Sequence, residues 1–193
     1  RMVRITSEYS DVIRTIRGDL PTLKATEAVA DGSLDCGLGP SPERTGLTFR
    51  RIGRETIYLG MPAEHPLATR KAVKLSMLRG EKLLALGRGH RLLENVRHLA
   101  QAAGAHIVDD FEGTSLDAIR QMVSIGMGMS LFPELYARAE FKNTDDVKLL
   151  ELEDWNERRD VGFYWRESSG RIRHYLTIAD AADRAASGLR IAV

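Results

Sequence analysis

The chain has very little of what builds cross-linked or metal-held folds. It has one cysteine, Cys36, in 193 residues, so no internal disulfide can form and a cysteine-ligated metal site has nothing to start from. Five histidines, His65, His90, His98, His106 and His174, show no HExxH or other paired-ligand spacing. His90 and His98 stand eight residues apart, two helical turns, too far to share one ion. There is no GxSxG elbow and no GxGxxG at a strand–helix junction, so the common acyl-transfer and dinucleotide signatures are missing. Long apolar runs are missing too, which excludes a membrane-spanning helix. No charge sign dominates: 28 basic residues stand against 27 acidic ones. A self-sufficient nucleic-acid binder usually shows a basic face, and RRIGRE and RESSGRIR are basic only locally. No enzyme activity, no cofactor and no metal is therefore expected, in a reducing, cytoplasmic setting without a membrane partner. No secretory leader is visible at the start.

What remains is an ordinary globular composition, 43% hydrophobic and 28% charged, in a chain long enough for a real core. Strand-like and helix-like pieces alternate. Residues 1–5 suit a strand; 11–17 and 22–30 suit helices, separated by Gly18 and Pro21. Residues 34–38 suit a short strand closed by Gly39-Pro40. Residues 47–52 and 56–61 read as two strands on either side of Gly53. A short helix is expected near 75–78 and a strand at 82–86. From Leu92 the apolar positions Leu92, Leu93, Val96, Leu99, Ala100 and Ala103 follow the helical period, and Gly104 is a natural stop. Residues 106–108 resume extended structure. Thr114 or Ser115 then caps a helix carrying Leu116, Ile119 and Val123 that ends at Gly126. Residues 128–132 and 148–152 suit strands, and Pro133 opens a helix between them. Val161, Phe163 and Trp165 alternate with Gly162, Tyr164 and Arg166, which fits a strand with two distinct faces. After Gly170, Ile172, Tyr175, Leu176, Ala179, Ala182 and Ala186 form one helical stripe. The alternation implies an α/β fold with parallel-rich sheets wrapped by helices.

In such folds ligands bind beyond the carboxyl ends of strands, where loops lead into helix N-termini. Three polar clusters fall at such points: Ser7-Glu8-Tyr9-Ser10, Arg88-Gly89-His90-Arg91 and Gly113-Thr114-Ser115. Free backbone N–H groups and the helix dipole favour anions there, and hydroxyls and guanidinium groups add donors. Together they suggest a pocket for a small polar or anionic molecule, with Ser7, Tyr9, Ser10, Gly89, His90, Arg91, Thr114 and Ser115 as its candidate ligand-binding residues. Each has a plainer alternative: Thr114 or Ser115 as helix caps, Arg88 and Arg91 as solvated surface charges, His90 packed and hydrogen-bonded, Tyr9 in the core. The GMGM run at 126–129 follows a helix, so it reads as a helix end and a tight turn rather than a phosphate loop. Cys36, in LDCGLG, reads as a structural thiol in a buried strand.

Three stretches also resemble one family. EGTSLDAIRQMVSIGMGMSLFPELYA looks like the effector-domain run of LysR-type transcriptional regulators, in which a T/S-L-x-x-[LI]-x-x-M-V helix precedes G-x-G-[ILM] and a strand ending in proline. ADGSLDCGLGP resembles the family's G-x-L-D-x-x-[LI] strand entry. ETIYLGMPAEHPLA resembles its E-x-[LI]-x-L-x-x-P-x-x-H-P-L segment. Within the family, GEKLLALGRGHRLLENVRHLAQAAGA most resembles the OxyR-like, peroxide-sensing branch. There the resemblance places a reactive cysteine directly after the histidine of a G-H-C run; here the run is Gly89-His90-Arg91, and an arginine forms neither sulfenate nor disulfide.

The resemblance implies two Rossmann-like lobes of the type II periplasmic-binding-protein kind, joined by two crossover segments. The expected lobes are residues 1–53 with 156–193, and 54–155, with a small-molecule effector in the cleft between them. It further implies a homodimer or homotetramer through the effector domain, and DNA contact only through an N-terminal winged helix-turn-helix absent from this chain. The face Leu92, Leu93, Val96, Leu99 resembles the family's dimer helix; the plainer alternative is that it covers its own sheet, and a helix this apolar can do part of each. By the family's pattern residues 1–27 are shortened. A transporter's solute-binding protein of the same fold, and a thiol redox sensor using Cys36, are the alternative readings.

Overall fold

The computed structural model describes residues 22–141 and 145–187. The strand and helix expected at 1–5 and 11–17 therefore lie outside the described residues, as do Ser7, Tyr9 and Ser10. The described elements are α1 (Thr22–Asp31), β1 (Cys36–Pro40), β2 (Leu47–Pro62), a 3-10 turn (Leu75–Leu78), β3 (Lys82–Leu86), α2 (Leu92–Ala103), β4 (His106–Gly113), α3 (Leu116–Ser124), β5 (Ser130–Pro133), α4 (Glu134–Glu140), β6 (Val147–Leu150), β7 (Arg158–Arg166) and α5 (Ile172–Ser187). The chain divides into two compact units, Arg1–Glu55 with Arg159–Val193, and Thr56–Arg158.

In the first unit, β1 and β7 pair antiparallel, Cys36 opposite Trp165 and Pro40 opposite Val161. The alternation along β7 sorts its side chains between two cores. Phe163 and Trp165 join Cys36, Ile52 and the α5 residues Tyr175, Ile178, Ala179, Ala182 and Ala186. Tyr164, on the other face, joins Val29 and Leu34. The α5 stripe differs from expectation at two points: Ile172 and Leu176 are exposed, and Ile178, on the flank of the stripe, is buried instead. Leu34 is buried in the core but precedes the strand, which runs two residues later than expected.

The first unit also buries carboxylates, each with a guanidinium. Asp35 meets Arg171 Nη1 at 3.2 Å and Glu55 meets Arg159 Nε at 2.6 Å. A buried charge persists only with such a partner.

The second unit is built around β3, whose residues Leu83, Leu84, Ala85 and Leu86 are all buried. A continuously buried strand is what a sheet covered on both faces produces. Helices α2 and α3 pack on it through Leu92, Val96, Leu99, Ala100 and Ala103, and through Ile119 and Val123. The α2 face offered as a possible dimer surface is thus the cover of its own sheet: Leu92, Val96 and Leu99 lie inside this core and Leu93 packs against it. Gly104 ends α2 in the left-handed conformation.

Two strand expectations are corrected. The two strands on either side of Gly53 are one 16-residue strand, β2, because Gly53 keeps extended geometry and is buried rather than turning the chain. The sheets are also mixed rather than parallel-rich: β3 and β4 pair parallel and Leu83 bridges Met129 in parallel, whereas β1 with β7, and β2 with β5 and with β6, pair antiparallel. Strand–helix alternation predicts crossovers, but it does not say which way a strand returning from a distant part of the chain will run.

Candidate functional site

The parallel pair β3 and β4 positions the two polar clusters that the structure describes. Leu86 is the partner of Gly113, and Gly87 N donates to Gly113 O at 3.0 Å. Both strands therefore end side by side, pointing the same way. Arg88-Gly89-His90-Arg91 leaves one and leads into α2; Thr114-Ser115 leaves the other and leads into α3. Gly113 is required by this junction: a Cβ there would lie 2.4 Å from Ile119 Cδ1 and 3.2 Å from Ala85 O. Gly89 has φ +98°, a left-handed conformation that lets the loop reverse into α2 without the strain a side chain would bring.

The hydroxyls divide their tasks. Ser115 is the N-cap of α3, its Oγ accepting from Ala118 N at 3.2 Å. Thr114 is exposed, one residue outside the cap. Tyr136 donates to Asp117 Oδ1 at 2.6 Å in the first turn of α3, and burial together with that carboxylate pushes the phenol well above its ordinary range.

The start of α2 breaks a local rule. Its N-cap is Arg91, with helical φ −60° and no side-chain cap bond. Arginine is a poor N-cap, and it sets a cation at the positive end of the helix dipole. Two early amides are already used: Leu93 N donates to His90 O and Glu94 N to Arg91 O, each at 3.1 Å. Those two backbone donors are therefore committed within the fold. Arg88 is exposed, and Gly89, His90 and Arg91 are half-buried. His90 and Arg91 also hold contacts within the fold.

Cys36 is elsewhere, in the first unit, and nearly fully buried. Burial, helped by the charge of Asp35, raises its thiol to about 12. Thiolate is the reactive form, so this thiol is a weak nucleophile at neutral pH.

Sequence reading missed a second feature. A cavity of about 220 Å³ opens at the amino end of β3, lined among others by Pro62, His65, Glu81, Lys82, Met127 and Met129. His65 Nδ1 accepts from Leu67 N at 3.2 Å, and Nε2 lies 3.5 Å from Glu81 Oε1. The residues come from the end of β2, the start of β3 and the turn after α3. No local spacing announces such a meeting; the GMGM run was the nearest signal.

Comparison with known proteins gives a consistent picture. Residues 20–186 match the family model described as the LysR substrate binding domain. The DNA-binding transcriptional dual regulator OxyR of Escherichia coli (strain K12) is 35% identical over 151 residues, 78% of this chain and 49% of that protein. The transcriptional dual regulator GltC of Bacillus subtilis (strain 168) is 37% identical over 110 residues, 56% of this chain and 37% of that protein. Among solved structures, the oxidized form of OxyR matches with a TM-score of 0.80 at 26% identity, over 97% of this chain and 89% of that one. The reduced form matches with 0.78 at 28%, over 97% and 88%. The chain spans about half the length of the curated relatives it matches.

Proposed function

Because the chain belongs to the LysR substrate binding domain family, we propose that it senses a small anionic molecule at the carboxyl ends of β3 and β4 and serves a DNA-binding transcription regulator. The observation that carries this reading is the Leu86–Gly113 pairing, which sets the arginine loop beside Thr114 and Ser115. The start of α2, which has no side-chain cap, supports it further, since an anion there would offset the helix dipole. Arg88 and Arg91 would hold the anion, Thr114 would donate to it, and Ser115 would keep the adjoining helix in register.

The relatives named as hydrogen-peroxide-inducible activators suggest a thiol switch, but two observations oppose one here. Arg91 occupies the place where the resemblance puts the reactive cysteine, and Cys36 is buried with a raised pKa. Regulation by a reversibly bound ligand needs no covalent step. A ligand shifts the regulator only by its differential affinity for two states, typically ~1–3 kcal/mol of coupling. Work in a bacterial cytoplasm, a homodimer or homotetramer formed through this domain, and no catalysis complete the reading. No helix among the described residues is long and apolar enough to cross a membrane.

A thermal-shift series with citrate, malonate, glutamate and inorganic phosphate, with chloride as ionic-strength control, tests it. At least one anion should raise the midpoint saturably, and Arg91→Ala should remove the rise. No stabilising anion, or equal stabilisation of the variant, would sink the proposal.

A further inference from the structure

We infer that the second unit carries another small-molecule site, at the amino end of β3, which takes a compact organic amine. Its protonated nitrogen would sit on the Glu81 carboxylate and its apolar body against Met127 and Met129. This site shares no residue with the arginine loop and lies at the opposite end of the same strand, so it stands or falls independently of the proposed function.

One hydrogen bond orients the imidazole. Nδ1 of His65 accepts from Leu67 N, so its lone pair is in use and Nε2 carries the N–H that faces Glu81. That nitrogen lies 3.5 Å from Glu81 Oε1, at the long limit of a hydrogen bond, which leaves the carboxylate most of its accepting capacity. Its side chain is 35% exposed, reachable from solvent but not fully hydrated.

The backbone around it is already committed. Glu81 O accepts from His106 N and Lys82 O from Met129 N, both at 2.8 Å; Gly126 N donates to Val123 O and Met127 N to Met122 O. Walls held this way are pre-formed, and recognition is left to side chains. Those are the Glu81 carboxylate, the Lys82 ammonium at the start of β3, the His65 imidazole, Pro62 and two thioethers, with Met129 buried and Met127 exposed. Thioethers are polarizable and favour aromatic rings. At about 220 Å³ the cavity is smaller than the ~300–1,000 Å³ of drug-sized sites, so its occupant is a molecule of few heavy atoms. Lys82 is exposed at the start of β3 and would favour a carboxylate instead, so the test includes one.

Methyl-¹³C-methionine labelling of this chain gives direct reporters, because Met127 and Met129 line the cavity. Benzylamine, benzyl alcohol and benzoate are titrated separately. Benzylamine should shift both methyls saturably and bind at least about tenfold more tightly than the other two, the value of one charge-assisted contact. Glu81→Gln should reduce benzylamine to the affinity of benzyl alcohol with an unchanged unfolding midpoint. Met127→Ala should weaken amine and alcohol alike. The inference is overturned if neither methyl shifts saturably, if benzoate binds more tightly than benzylamine, or if Glu81→Gln retains full affinity. The ranking of the three probes on the unmutated chain decides the matter even if a variant folds poorly.

Discussion

At the carboxyl ends of β3 and β4, two loops leave side by side carrying Arg88, His90, Arg91 and Thr114; at the amino end of β3, His65, Glu81 and two methionines close around a cavity. The first end concentrates cations over two helix starts. The second holds a carboxylate, an imidazole and one lysine among apolar walls. One end is written in contiguous residues and follows from a general rule about parallel strands. The other arises only when the ends of β2, β3 and α3 meet. Polar recognition groups are therefore legible as short runs, whereas cavities are a property of packing.

That contrast loses its point if sensing runs through the thiol in the other unit, and the largest expected effect tests this. At pH 8, alkylation of Cys36 by iodoacetamide in the folded protein should be slower than in urea by roughly a thousandfold, the ratio of thiolate fractions for pKa 9.0 and about 12. The same shift has a stability consequence. The folded state holds the proton more tightly than the unfolded one, so this contribution is intact below pH 9 and is lost as pH rises towards 12. Cys36→Ala should flatten that alkaline slope in unfolding titrations, and rapid labelling of the native protein would revive a thiol mechanism.

Next comes the floor that both ends share. Leu99 is fully buried under β3, and Leu99→Ala should cost about 2–5 kcal/mol in urea unfolding, weakening both ends together. A change confined to one end sharpens the comparison. Gly113→Ala drives a methyl into Ile119 and towards Ala85 O, at about 1–3 kcal/mol of overpacking. It should displace the amide resonances of residues 87–91 and 114–116 while leaving the Met127 and Met129 methyls in place. Smaller still, Ser115→Ala should cost ~1 kcal/mol through the lost cap, and Thr114→Ala almost nothing. A reversal would exchange their roles.

Much of the fold was legible where local chemistry and packing agree. Helix α2 runs over Leu92–Ala103 as its apolar spacing and Gly104 require, the turn at Leu75–Leu78 falls where expected, and β7 has the two faces its alternation announces. The rest depends on partners distant in sequence. Gly53 looks like a break between strands, yet β2 continues through it because the position is buried in a sheet. Strand β4 extends to Gly113, and its register slips between Leu83–Ile107 and Ala85–Glu112, an irregularity no hydrophobic pattern records. Ile178 is buried and Leu176 is not, because the face of α5 that meets the core is centred on Tyr175, Ile178, Ala179 and Ala182, to one side of the expected stripe. Gly89, His90, Arg91, Thr114 and Ser115 follow strand ends in the sequence pattern, and the Leu86–Gly113 pairing sets their two loops side by side. The His65–Glu81 cavity could not be read from the sequence, because nothing local links those residues.

The most direct test of the central claim is an amide chemical-shift titration of the ¹⁵N-labelled chain with citrate and with inorganic phosphate. The account predicts saturable shifts centred on residues 88–91 and 114–116, and their loss in Arg91→Ala. Saturable shifts centred elsewhere, with those loops unmoved, would contradict it.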